Sequence, residues 1–208
     1  MDMRRLYALI SLAVIVLVGD GLARADQPIL RIEEDWEVVV DAPDADTNAP
    51  QISTFLFPTN NKNIHFSFDL NHASTPQYRA GGVQVQVWIN DHMATFQAGD
   101  NIQVMSGDGE TVRWTQAVEL NGDSLQFSVT NGTSETWGEF GNNSSLRIVT
   151  PIDIEELNSY SHLVSLQNSG AGFAGNRVQS MKLLRVRRYS AAGLVSTTSV
   201  NQQVESTE

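Results

Sequence analysis

The chain contains no Cys, so any chemistry in it must come from side chains other than thiols. Thiol catalysis and thiolate metal sites are thereby excluded. No Gly-x-Ser-x-Gly elbow, P-loop or dinucleotide-binding fingerprint occurs. His72, His92 and His162 are scattered without the spacing of zinc ligands. One constellation stands out. Paired across the 71–82 connection, segments 63–70 and 83–89 put His65, Ser67 and Asp69 on one face with Gln84, Gln86 and Trp88. An aromatic plane packs on the C–H face of a sugar, while planar amides and a carboxylate meet its hydroxyls. The competing reading is a solvated sheet face that carries a single aromatic.

Two further candidates lie in loops. Trp137 sits in the Gly-rich stretch 131–143, where an indole suits ligand contact, and where Trp137 and Phe140 equally suit a plug at one end of the fold. Asp44, Asp46 and Asn48 offer oxygens at alternate positions, as a hard cation such as Ca2+ requires. Phe55 occupies the twelfth position counted from Asp44, so the pattern is no EF-hand, and an acidic solvated turn explains it as well. Ca2+ is thus a candidate ligand, and no resident cofactor is expected.

The elements that must carry these residues are strands. Ile64, Phe66, Phe68 and Leu70 alternate with polar residues, as do Val83, Val85, Val87 and Ile89. Val112, Trp114 and Val118 share a parity, and so do Leu125, Phe127 and Val129. A period of two marks strands with one face on a core. Weaker strands are read at 29–40, 52–57, 101–105, 145–150, 161–167 and 177–189. Asn60-Asn61, Gly81-Gly82, Asn90-Asp91, Gly107-Asp108-Gly109, Asn121-Gly122 and Asn131-Gly132 supply turns between them. By the same parity rule Trp36 and Trp114 belong to the core. The expected class is all-β, a two-sheet antiparallel β-sandwich. Thr150-Pro151-Ile152-Asp153 has the form of a helix start, so at most one short helix is expected, near 151–157.

The ends of the chain read differently. Arg4 and Arg5 precede an apolar run from Leu6 to Val18, and Ala23-Arg24-Ala25 supplies a cleavage site. Residues 1–25 therefore read as a secretory signal peptide, with the mature chain starting at Asp26. The run is shorter than the roughly 20 residues that span a bilayer, so no membrane span is expected after cleavage. Residues 26–190 form the expected domain. Residues 191–208, rich in Ser, Thr, Gln and Glu, are expected to be a disordered tail. The chain carries a net charge of -11, which argues against a nucleic-acid partner.

Phe173 to Val178 leads into Met181-Lys182-Leu183-Leu184-Arg185-Val186-Arg187-Arg188-Tyr189. This run of apolar and charged residues ending in an aromatic resembles the closing strand of laminin-G-like domains. With the strand pattern, it resembles a concanavalin-like jelly roll, the fold of legume lectins and related glucanases. The resemblance implies a carbohydrate partner, or an acid-pair hydrolase. Those glucanases carry a Glu-x-Asp-x-(x)-Glu strand, against which 151–156 reads Pro-Ile-Asp-Ile-Glu-Glu. Pro151 stands where the nucleophile would be, so Asp153, Glu155 and Glu156 cannot form the required carboxyl pair. The expectation is a secreted, non-catalytic sandwich that binds carbohydrate or an envelope or matrix component. A structural surface protein and a glycan hydrolase with acids elsewhere are the alternatives.

Overall fold

The computed structural model describes residues 27–40, 51–60, 63–71, 82–99, 109–160, 171–172 and 178–203. Their alternating sequence forms twelve strands. These are β1 Arg31–Val40, β2 Gln51–Leu56, β3 Ile64–Asn71, β4 Val83–Ile89, β5 His92–Ala98 and β6 Glu110–Asn121, then β7 Ser124–Ser134, β8 Gly138–Phe140, β9 Arg147–Pro151, β10 Ala171–Gly172, β11 Val178–Ser190 and β12 Gly193–Gln203. They make a long sheet in the order β12-β11-β1-β6-β7-β8, with β9 also on β7, and a short sheet in the order β10-β2-β3-β4-β5. All pairings are antiparallel. The protein is an all-β sandwich.

The core lies where the apolar parities of the two sheets meet. Phe66 stacks on Phe127 at 5.0 Å between ring centroids, and Phe68 meets Trp114 at 5.2 Å and Phe140 at 6.1 Å. Trp36 and Trp114 stack at 6.2 Å on neighbouring strands, both buried as their parity requires. Each large apolar side chain enclosed here contributes about 1.5–3 kcal/mol.

A polar cluster interrupts this core. Glu34 shares the inward parity of β1 and is fully buried. It accepts hydrogen bonds from Trp36 Nε1 at 2.9 Å, Gln116 Nε2 at 2.6 Å and the Tyr160 hydroxyl. Thr54 of the short sheet donates to Gln116 Oε1 at 2.8 Å, so the cluster ties one sheet to the other. Buried polar groups persist only when satisfied in this way.

Two expectations about the chain's later part are corrected. No helix forms at 151–157; the only short helical turn among the described residues is at Asn142–Ser144. Pro151 ends β9 opposite Ser124, and Ile152 donates to the Asp123 carbonyl at 3.0 Å, which holds the chain extended past the cap-like residues. Nor is 191–203 a disordered tail, because β12 pairs with β11 from Ser190↔Gly193 to Lys182↔Gln203. Ladder hydrogen bonds and a strand-forming Ser/Thr/Val composition replace the missing apolar face. The expected strands 101–105 and 161–167, the signal segment 1–25 and the calcium candidates Asp44, Asp46 and Asn48 lie outside the described residues. Among the described residues, no helix is long and apolar enough to cross a membrane.

Candidate functional site

Strands β3 and β4 pair in the register that puts His65 opposite Trp88, Ser67 opposite Gln86 and Asp69 opposite Gln84. The flanking strands extend each row. Ser53 lies opposite Asp69 and Phe55 opposite Ser67 on β2, while Ala98, Phe96 and Met93 lie opposite Gln84, Gln86 and Trp88 on β5. Residues opposite one another share a face. Since Phe66, Phe68 and Leu70 point into the core, this array forms the outer face of the short sheet.

That face is divided. Its polar half is closed to solvent, with Asp69 at 1% exposure and Gln84 and Gln86 each at 2%. Asp69 Oδ1 accepts from Ser53 Oγ at 2.5 Å, and Oδ2 accepts from Gln84 Nε2 at 3.4 Å. A wet polar face, the simplest expectation, is therefore not what forms here. The other half is aromatic. Trp88 and His65 stack nearly parallel, 8° apart with centroids at 5.9 Å. The Trp88 indole N–H donates to Gln86 Oε1 at 2.7 Å, which fixes the rotation of the ring. Phe57 packs on His65 at 5.2 Å and Phe55 meets it edge-on at 5.7 Å. Trp88 itself is half-buried, while Met93 is 42% exposed and Phe96 46% exposed.

Burial holds the His65 imidazole below its ordinary pKa, opposed by the nearby Asp91 carboxylate. His65 is thus neutral at pH 7, and its stacking on Trp88 is that of two uncharged rings. A neutral imidazole keeps one ring nitrogen as donor and one as acceptor. The arrangement can hold a flat, partly apolar ligand by one ring face and offer hydrogen bonds at its margin.

Trp137 lies elsewhere. It is 6% exposed and meets Phe140 edge-on at 6.1 Å, packed as a plug in the core. Glu110 organises its turn by accepting from Ser134 Oγ at 2.5 Å and from the Thr136 amide and hydroxyl at 2.8 and 2.6 Å. Burial pushes the Glu110 carboxyl up, but these hydrogen bonds outweigh it and hold its pKa below the ordinary value. Asp153, Glu155 and Glu156 are exposed on irregular chain rather than aligned on a strand. Among the described residues, no group of three or more His, Asp or Glu could hold a metal ion.

Phe55, Phe57 and Phe96, with the thioether of Met93, complete the apolar row, and the sequence reading assigned none of them to the site. The signal lay in the Asn90-Asp91 turn, from which no returning strand was inferred. Both residues take positive φ, 51° and 61°, the geometry of a two-residue hairpin turn. Such a turn after 83–89 demands a returning strand, which is β5.

No family model and no curated protein matches the chain. Among solved structures it is similar to an ancestral congerin, with TM-score 0.34 and 10% identity over 75% of this chain and 92% of that one. It is also similar to scytalido-glutamic peptidase with a transition-state analogue inhibitor, with TM-score 0.35 and 14% identity over 86% of each chain. A third is SCP-B, of the eqolisin family of peptidases, in complex with the tripeptide Ala-Ile-His, with TM-score 0.33 and 13% identity over 86% of each chain. These likenesses are distant, and no part of the functional reading rests on them.

Proposed function

We propose that this is a secreted, non-catalytic β-sandwich protein that binds saccharide on the outer face of its short sheet. The signal-like 1–25 segment supports export, with the mature protein beginning at Asp26. The concanavalin-like descent of the sandwich belongs to the same reading and rests on the 181–189 strand. One observation carries the site: the Trp88 ring is held in a fixed plane by His65 beneath it and Gln86 at its edge. A sugar ring stacks on such a plane without first ordering it, which lowers the entropic cost of binding. The buried Asp69–Gln84 row backs this platform and keeps β3 and β4 in register.

A second reading is a contact surface for another protein. The exposure of Met93 and Phe96 on β5 favours it, since exposed apolar side chains at a sheet edge suit partner packing.

A glycan array probed with the intact protein and with Trp88→Ala separates the two. Saccharide binding should be detectable in the first and at least tenfold weaker in the second, while the folded strand spectrum is retained. Binding that survives Trp88→Ala unchanged removes Trp88 from the site. A blank array with intact protein leaves the protein-contact reading.

A further inference from the structure

A second concavity lies on the other sheet. A cleft of about 470 Å³ is lined by Arg31 of β1, Ser128 and Asn131 of β7, Asn143 and Ser144 of the short helical turn, and Arg147 of β9 among others. Its size falls within the range of small-molecule sites. Apart from Val129, Leu146 and Gly141, its lining is amide, hydroxyl and guanidinium, with no aromatic side chain. Groups that both donate and accept hydrogen bonds complement a polyol rather than a flat apolar ring.

The charges in the cleft differ in their partners. Arg31 bonds Glu33 at 2.6 Å and Glu119 at 2.7 Å, so its charge is taken up within the sheet. Arg147 is exposed, lies opposite Ser128, and has no acidic partner within 4.0 Å among the described residues. A guanidinium is a planar fork that matches a carboxylate bidentately. In a chain of net charge -11, an unpaired arginine at a cleft is a specific feature rather than part of a basic surface.

The wall of the cleft is built under backbone strain. Asn131, Asn143 and Ser144 all take positive φ, at 54°, 56° and 60°. Apart from the Asn90-Asp91 hairpin turn, the other such non-glycine residue among those described is Asn201. Strained residues persist where surrounding structure over-determines them, and they concentrate at binding sites. Two glycines supply that constraint here. A Cβ on Gly141 would lie 2.5 Å from the Val129 carbonyl oxygen, and one on Gly132 would overlap the Phe140 ring. The loop is therefore pressed onto β7, and the cleft is formed before any ligand arrives.

We infer that this cleft binds an acidic saccharide unit, its carboxylate on Arg147 and its hydroxyls on the Ser128, Asn131, Asn143 and Ser144 side chains. The site is separate from the Trp88 platform and does not require it. The test is 15N chemical-shift titration of the protein with tri-galacturonic acid, and with its methyl ester as a neutral match. The acid should shift amides in 128–131 and 141–147, and the ester should bind at least tenfold more weakly. Arg147→Gln should lose at least tenfold in affinity for the acid, Arg147→Lys should retain part of it, and Trp88→Ala should leave it unchanged. Equal binding of acid and ester, no binding, or shifts confined to 63–70 and 83–98 would each overturn the inference. Loss of neutral-saccharide binding in Trp88→Ala is read separately, so the platform and the cleft stand or fall independently.

Discussion

On the outer face of the long sheet four of the five outward residues of β1, Arg31, Glu33, Asp35 and Glu37, are charged, and each finds an opposite charge alongside. Arg187 bridges Glu33 and Asp35, Arg185 joins Asp35, and Arg113 and Lys182 both reach Glu37. Among the described residues, the outer face of the short sheet carries one carboxylate, Asp69, which is satisfied by serine and glutamine, beside a row of stacked rings. The difference is one of remaining capacity. A ladder of mutually neutralising charges has little left to offer a ligand, whereas an aromatic plane with a half-exposed face has not been used by the fold. The ion-paired face is scaffold until it reaches β9, where Arg147 is left over. In the proposed function the ring face is the one that meets ligand.

The sharpest way to break this contrast is to remove each face's central polar group. Asp69→Ala leaves the Ser53 hydroxyl and the Gln84 amide without their acceptor in a closed environment, with an expected loss of about 2–3 kcal/mol in urea unfolding. Arg187→Ala leaves Glu33 and Asp35 with their weaker partners. These carboxylates keep some access to water, and the expected loss is about 1–2 kcal/mol. If Arg187→Ala proves the more damaging, the assignment of the short face as the closed one is inverted.

A smaller effect separates the faces along the pH axis. Burial tends to raise the Glu33 carboxyl, but hydrogen bonds from Tyr189, Arg187 and Arg31 outweigh it and hold its pKa low. Asp35 is likewise raised by burial and held low by Arg187, Thr115 and Arg185. Their stabilisation is present above the unfolded values of 4.5 and 3.8 and is lost as pH falls through the lower folded values. His65 acts at a different pH. Its folded pKa is below the unfolded 6.5, so the unfolded chain binds the extra proton and stability declines as pH falls from about 6.5 toward the folded value. Unfolding free energy measured from pH 7 to 3 should therefore fall in two stages. His65→Gln should abolish the upper stage and leave the lower.

Much of the fold was legible because a period of two survives wherever one face is buried. The β3/β4 pairing, the inward Trp36 and Trp114, and the outward Trp88 all follow from parity. The misses share a cause. Strand β5 is exposed along most of its length, and β12 has few apolar residues to alternate, so neither leaves the pattern that betrays a half-buried strand. The cap-like residues at 150–153 were read locally, while pairing with β7 decided their conformation. At the site, parity placed His65, Asp69, Gln84, Gln86 and Trp88 on one face. It could not tell that the polar half is closed, because a period of two separates the faces of a sheet without saying whether the outer one meets solvent. Arg147 and its cleft were invisible for a similar reason. The glycines that press the 138–144 loop onto β7 act across strands, and no local motif announces them.

The central claim, that the ring half of the short face is where ligand binds, is tested most directly by the indole N–H resonances of the four tryptophans. Titrating 15N-labelled protein with the strongest neutral oligosaccharide from the glycan array should shift the Trp88 signal progressively with saccharide concentration. Trp36, Trp114 and Trp137, enclosed in the core, should stay fixed. Saturable binding that leaves the Trp88 indole unmoved would contradict the account, because that N–H is held on Gln86 at the edge of the proposed platform.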